Sequence, residues 1–222
     1  MLIRRYSFAG TDIVTLIIGE NKQKFHIHDE KLFSASPIFK QAFKEAGSNR
    51  ILEVPDGDVV LFDSFIHWLY SSKLKVPTFA PNQQENGTVM FAVRLYVMAH
   101  QFKIVNLKND ICTLLFLVVP KANFQAPPRC AVLLAYRQTP SKSPIRRLLV
   151  DWLVYNTHTN WFKVPGNQAW LVSLPRFAVD IAVGFSQGGA CDAEDGPFGK
   201  GNVDFYAETA SAVSSQQAIV ID

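Results

Sequence analysis

Between Asp12 and Tyr70 the chain changes its hydrophobic period several times, and that order of segments constrains the fold more than any other feature. Ile13, Val14, Leu16, Ile17 and Ile18 form an aliphatic, mostly β-branched run that stops at Gly19, which reads as a strand. Asn21-Lys22 lies in a polar turn and Lys24 to Ile27 begins a second strand, so the two predict a hairpin. Asp29-Glu30 then put negative charge where a helix N-terminus, with its partial positive charge, favours it. Leu32, Phe33 and Ser36 follow at helical spacing. Pro37 ends that helix and starts another, because proline is tolerated in a first helical turn. Ile38, Phe39, Ala42 and Phe43 give the second helix an apolar face, and Gly47-Ser48-Asn49 stops it. Ile51, Leu52 and Val54 predict a short strand ahead of the turn Pro55-Asp56-Gly57-Asp58. Leu61, Phe62, Phe65, Ile66, Leu69 and Tyr70 then recur with the period of a helix that packs a wide apolar stripe.

Beyond Tyr70 the helical period persists. The polar stretch from Pro77 to Gly87 predicts a mobile surface loop. Phe91, Leu95, Met98, Ala99 and Phe102 share one face of a helix over 89–102, and Ile111, Leu114, Leu115 and Val118 mark a helix over 104–119. Ala131, Leu134 and Ala135 continue the pattern after Pro127-Pro128. Ser143-Pro144 reads as a helix start, a capping hydroxyl followed by proline at the first helical position. Ile145, Leu148, Leu149, Trp152 and Leu153 follow at i, i+3, i+4, i+7 and i+8. Thr157 to Gln168 is expected as a loop, and Leu174 to Phe185 as the last helix. From Ser186 onward Gly, Ala, Ser and Gln dominate and the period is lost. Residues 186–222 are therefore expected to be a disordered tail, dispensable for folding, in which Val203 to Tyr206 order only transiently.

Composition narrows the function classes. Of 222 residues 48% are hydrophobic and 17 are Phe, enough for a substantial core. The net charge of +3 comes from scattered Lys and Arg. The tightest pairs, Arg4-Arg5 and Arg146-Arg147, are too short for a stripe that tracks phosphates, so nucleic acid is not an expected partner. The apolar runs Leu114 to Val119 and Cys130 to Tyr136 are too short to span a bilayer, and no secretory signal is evident, so neither a membrane nor secretion is expected. The three cysteines, Cys112, Cys130 and Cys191, argue against a disulfide framework. Cys112 and Cys130 sit in apolar segments and are expected as buried thiols of an intracellular protein, in the cytoplasm, the nucleus or both. The sequon Asn86-Gly87-Thr88 then reads as a turn.

The ordered set of strand hairpin, two short helices, strand, helix, loop and two helices resembles the BTB/POZ family of protein-interaction domains. So do individual residues: Asp12 before the first strand, His28 after the second, Ser36-Pro37-Ile38-Phe39 across two helices, and Phe65-x-x-Trp68-Leu69-Tyr70 closing the next. Leu95 to Ala99, Phe102 and Leu107 extend the likeness. Ala135-Tyr136-Arg137-Gln138-Thr139-Pro140 and Ser143 to Asp151 resemble the helical extension of many short fungal BTB proteins. The resemblance implies an α+β BTB/POZ domain over 10–119, an all-α extension over 120–185 and the tail. It implies a non-enzymatic interaction module without a cofactor. Phe43-Lys44-Glu45 fits the hydrophobic-x-Glu pattern with which cullin-binding relatives fill a cullin-3 pocket, so Phe43 and Glu45 are candidate partner contacts for a ubiquitin-ligase adaptor; a core Phe beside a solvated Glu is the plainer reading. The alternative function is a self-associating scaffold, a homodimer included. In the transcription-factor branch a basic residue follows the histidine and pairs with the aspartate at Asp12. Asp29 stands there in this chain, so that charged pair is not expected. The segment before Asp12 is short, so an exchanged N-terminal strand is not expected either.

Sharper chemistries fare worse. Gly184-Phe185-Ser186-Gln187-Gly188 matches the nucleophile elbow of hydrolases, but a poor helix former follows and no later histidine completes the triad after His158. Gly196, Gly199-Lys200 and Gly201 fail as a phosphate loop, because Glu194 stands where the first glycine belongs and Gly201 replaces the hydroxyl residue. His26 and His28 share a strand face, yet no third or fourth metal ligand accompanies them. Trp161, Phe162 and Trp170 are either an exposed partner patch or a loop folded back over the helices.

Overall fold

A computed structural model describes residues 12–80, 84–119, 126–187, 197–198 and 203–209. Two compact units divide them. Unit 1 takes the residues up to Lys75 and the turn Phe102–Ile104; unit 2 takes Val76–Gln101 and the described residues from Val105 onward.

Unit 1 carries a three-stranded sheet in the order β2-β1-β3, with β1 at Ile13–Ile18, β2 at Gln23–His28 and β3 at Ile51–Val54. β1 and β2 pair antiparallel through the predicted hairpin, with Val14 opposite Ile27 and Leu16 opposite Phe25. Gly19 closes the turn at φ +70°, a conformation that L side chains rarely adopt. β1 and β3 run parallel. A parallel return needs a crossover, and the helices α1 (Asp29–Ala35) and α2 (Pro37–Glu45) supply it. Period-two alternation drives Val14, Leu16, Ile18 and Ile27 to one fully buried face. Helix α3 (Val59–Ser71) starts at Asp58, whose Oδ1 accepts from the Val60 and Leu61 amides at 2.8 and 3.2 Å. It buries Leu61, Phe62, Phe65 and Trp68. Phe39 stacks on Phe102 with centroids 4.4 Å apart, and Phe62 meets Phe102 edge-on at 5.7 Å.

Unit 2 is helical. Helix α4 spans Gln84–Gln101 and α5 spans Val105–Val118; α6 spans Arg129–Gln138, α7 Pro144–Asn156, α8 Pro165–Ser173 and α9 Pro175–Ser186. Trp152 is its largest fully buried side chain. Three expectations need correction. The loop ending at Gly87 stops earlier, because α4 already includes Asn86 and Gly87. Phe79 lies against Gly87 so closely that a Cβ there would come within 2.5 Å of its ring. The loop over 157–168 holds a 3-10 turn, Thr159–Lys163, and the first turn of α8. Pro165 opens that helix, and Trp170, buried against Phe177, holds it down. Ser143 precedes α7 without capping it; its hydroxyl hydrogen-bonds Thr139 Oγ1 at 2.9 Å instead.

The expected tail also differs where it is described. Val203–Tyr206 form a 3-10 turn and Tyr206 is fully buried. Tyr206 finds aromatic and polar partners in unit 2 that a count of local hydrophobic period does not register. Among the described residues no single helix is long and apolar enough to cross a membrane.

Candidate functional site

Most of the residues that carry the family likeness converge in unit 1, whereas Leu95 to Ala99 and Leu107 belong to unit 2. Ser36 is fully buried. Its hydroxyl donates to the Phe102 carbonyl at 2.6 Å and accepts from the Phe39 amide at 3.2 Å, so one side chain caps α2 and fixes the turn at Phe102. Phe39 lies 6.3 Å from Phe65, and Phe65 stacks on Trp68 at 6.3 Å. Tyr70, at the end of α3, accepts from the His28 amide at 3.0 Å and shares a hydrogen bond with His28 Nδ1 at 2.8 Å. These contacts tie the end of β2 to α3.

At the same end of the sheet Asp12 and Asp29 face a single cation. Arg50 Nη2 meets Asp12 Oδ2 and lies 3.2 Å from Asp29 Oδ2, while the Asp29 amide donates to the Asp12 carbonyl at 2.9 Å. Two carboxylates cannot pair with each other, so the missing basic neighbour of His28 is replaced by an arginine from the start of β3. Nothing in the local sequence marks Arg50 for this role; only the parallel pairing of β1 with β3 brings it there.

The BTB/POZ domain family profile matches residues 10–113, the span that contains this sheet, the α1–α2 crossover, helices α3 and α4 and the first part of α5. Residues 10–113 are a BTB/POZ domain. A search of curated proteins gave no match. BTB/POZ domains are protein-interaction modules that also mediate dimerisation, and catalysis is not their usual role.

Within the BTB/POZ domain the two halves of the hydrophobic-x-Glu pattern separate. Phe43 is only 5% exposed, packed 5.6 Å from Phe33, whereas Lys44 and Glu45 are exposed. Gln41 Nε2 donates to Glu45 Oε1 at 2.7 Å. A protruding Phe43 is thus not what the fold presents; amphipathic spacing turns that ring into the core. The sheet offers apolar surface instead. On the face opposite the buried one, Ile13 is 55% and Ile51 47% exposed.

His26 lies on that open face with Nδ1 3.0 Å from Thr15 Oγ1. No group of three or more His, Cys, Asp or Glu that could hold a metal occurs among the described residues. Ser186 sits at the end of α9, where its hydroxyl donates to the Val183 carbonyl at 2.7 Å, and Gly188 of the elbow-like motif lies outside the described residues. Cys191 and the glycines of the phosphate-loop-like stretch lie outside them too, as does the segment before Asp12.

Unit 2 resolves the two readings of its aromatic residues. Trp161 meets Phe162 at 5.1 Å and Trp170 at 5.7 Å, edge-on in both cases, and Trp170 is buried. The segment folds back as a cap. Arg129 pins it: Nη2 donates to Asn167 Oδ1 at 3.0 Å and the guanidinium lies over the Trp170 ring. The Thr139-Pro140 to Arg146 motif has a structural use. Arg146 is buried, donates to the Tyr136 carbonyl at 2.7 Å and to the Thr139 carbonyl, and so satisfies the open C-terminal end of α6. Cys112 is buried as expected, and burial pushes its thiol up in pKa. Cys130 is exposed, contrary to expectation, because the first turn of α6 points it outward.

Proposed function

We propose that this chain is a non-enzymatic recruiting module that self-associates through the open face of its BTB/POZ sheet. The observation that carries this reading is the exposure of Ile13 and Ile51 on that one face. Fully burying an aliphatic side chain stabilises by about 1.5–3 kcal/mol. A twofold contact would use each isoleucine twice, because the same patch serves both partners. Light scattering across a concentration series tests it. The wild type should dimerise, and Ile13→Glu with Ile51→Glu should stay monomeric at the same circular dichroism. A wild type that is monomeric at every concentration overturns the reading.

A second reading, an adaptor for a cullin-type ubiquitin ligase such as cullin 3, draws on the exposed Lys44-Glu45 at the end of α2. With Phe43 in the core, the contact would rest on Glu45 and the exposed α2 surface. Calorimetry with the cullin-3 N-terminal domain decides it: binding that Glu45→Lys weakens supports the adaptor, and no binding by the wild type removes it. In both readings the BTB/POZ domain spans 10–119, the helical extension 120–185 serves as in short fungal relatives, and the chain works inside the cell.

A further inference from the structure

Residues 203–209 lie on unit 2 in the manner of a peptide on a receptor. The Tyr206 ring enters a fully buried position 6.0 Å from Phe116, and its hydroxyl donates to Asp151 Oδ2 at 2.7 Å. The Glu208 carboxylate accepts from the Tyr96 hydroxyl at 3.0 Å and from the Lys108 ammonium. Asn109 reads the main chain at the same residue in both directions. Its Oδ1 accepts from the Glu208 amide at 2.8 Å, and its Nδ2 donates to the Glu208 carbonyl at 3.0 Å. The receptor groups come from α4, α5 and α7, whereas the ligand is a short linear stretch.

The receptor side demands an anion. Lys108 is only 4% exposed, and among the described residues Glu208 is the carboxylate it meets. A buried ammonium without an acceptor is costly, so a groove built around Lys108 and Tyr96 is complementary to a carboxylate placed two residues after an aromatic ring. Asn109 sets register without reading side chains, and the Tyr pocket and the cation read them. We propose that this groove is a recognition site for short acidic segments of the form Tyr-x-Glu, held in cis by residues 203–209, and that a partner protein presenting the same chemistry displaces them. The site shares no residue with the sheet face that carries Ile13 and Ile51, so the two stand or fall separately.

The test uses the full chain and a fluorescein-labelled peptide with the sequence of residues 203–209. In the wild type the cis segment competes, which reduces apparent affinity by the fraction of open grooves. The full chain carrying Tyr206→Ala and Glu208→Ala, folded by circular dichroism, should bind the peptide at least about tenfold more tightly than the wild type. Adding Lys108→Met, or changing the peptide's Glu to Gln, should abolish the gain. No binding to the folded double variant, or equal binding to variant and wild type, overturns the proposal. If the double variant does not fold, a protease site placed between residues 188 and 202 of the wild type replaces it. After cleavage, labelled peptide should exchange into the groove while the fold persists. A cleaved segment that exchanges only on global unfolding is a permanent part of the core, and the proposal fails.

Discussion

Unit 1 and unit 2 are closed by different means. In unit 1 the aromatic core of Phe39, Phe62, Phe65 and Trp68 comes from neighbouring segments of one stretch, completed by Phe102 from a single turn. Its core closes by apolar contact, and the polar bonds, Ser36 to Phe102, His28 to Tyr70 and Arg50 to Asp12 and Asp29, cap its helices and tie its segments at the edge of that core. In unit 2 the helices pack apolar faces too, but the final closure is polar and distant. Glu208 reaches Lys108 across 100 positions of sequence, and Tyr206 reaches Asp151 across 55. The contrast teaches where each kind of interaction is used. Apolar burial is roughly proportional to area and tolerates many partners. A buried ion pair and a buried hydroxyl–carboxylate bond accept few, so they can fix one segment in one register.

The largest expected effect probes the apolar side of this comparison. Trp68→Ala removes a side chain that is 9% exposed and stacked on Phe65, and it should lower stability by about 3–5 kcal/mol in a denaturant titration. A loss below about 1 kcal/mol would show that unit 1 does not depend on its aromatic stack.

Next comes the polar side. Glu208→Ala leaves Lys108 and Tyr96 without their shared acceptor, and a stranded buried donor costs about 1–3 kcal/mol. If chemical denaturation shows no loss, the C-terminal closure is not energetically coupled to unit 2, and the contrast between the units collapses. Ser36→Ala asks how much a polar cap matters in the apolar unit. Loss of an N-cap hydroxyl costs about 0.5–2 kcal/mol, and hydrogen exchange at the Phe39 amide should accelerate along with it.

The smallest effect is a pH dependence. The Asp151 carboxyl is held above its ordinary value of 3.8, chiefly by burial, against the opposing Tyr206 hydrogen bond and the Arg147 charge. The folded chain therefore holds that proton more tightly than the unfolded one. The contribution is fully present below the ordinary value and declines as pH rises from there through the folded value. Asp151→Asn keeps an acceptor for Tyr206 but cannot ionise. The difference in melting temperature between variant and wild type should shift in favour of the variant on going from about pH 4 to about pH 7. A difference that is flat with pH would mean that Asp151 titrates in the folded chain as it does in the unfolded one.

Much of unit 1 was legible because its signals are local. The run Ile13–Ile18, the Ser36-Pro37 junction and the Phe65–Tyr70 spacing each specify an element through backbone preference or periodic burial. The role of Arg50 was not legible. An isolated arginine before a strand looks like any surface cation until β1 and β3 pair in parallel and bring it to Asp12 and Asp29. Phe43 is the opposite case, in which two local signals competed and the helical one held. Its neighbours matched a partner-contact pattern, but the helix period that placed Ile38, Phe39 and Ala42 on the apolar face also placed Phe43 there, in the core. In unit 2, α8 was missed because its residues have little amphipathic period, and Pro165 and the packing of Trp170 define it instead.

The sequence by itself determined the element types over most of the chain, the strand hairpin, the two short helices after it and the family likeness, because hydrophobic period and capping act between residues a few positions apart. Tertiary structure alone decided which cation answers Asp12 and Asp29 and where residues 203–209 go. Those outcomes depend on groups far apart in sequence. The pull of Lys108 and Tyr96 on Glu208 exists only once α4 and α5 have packed and removed water from both donors.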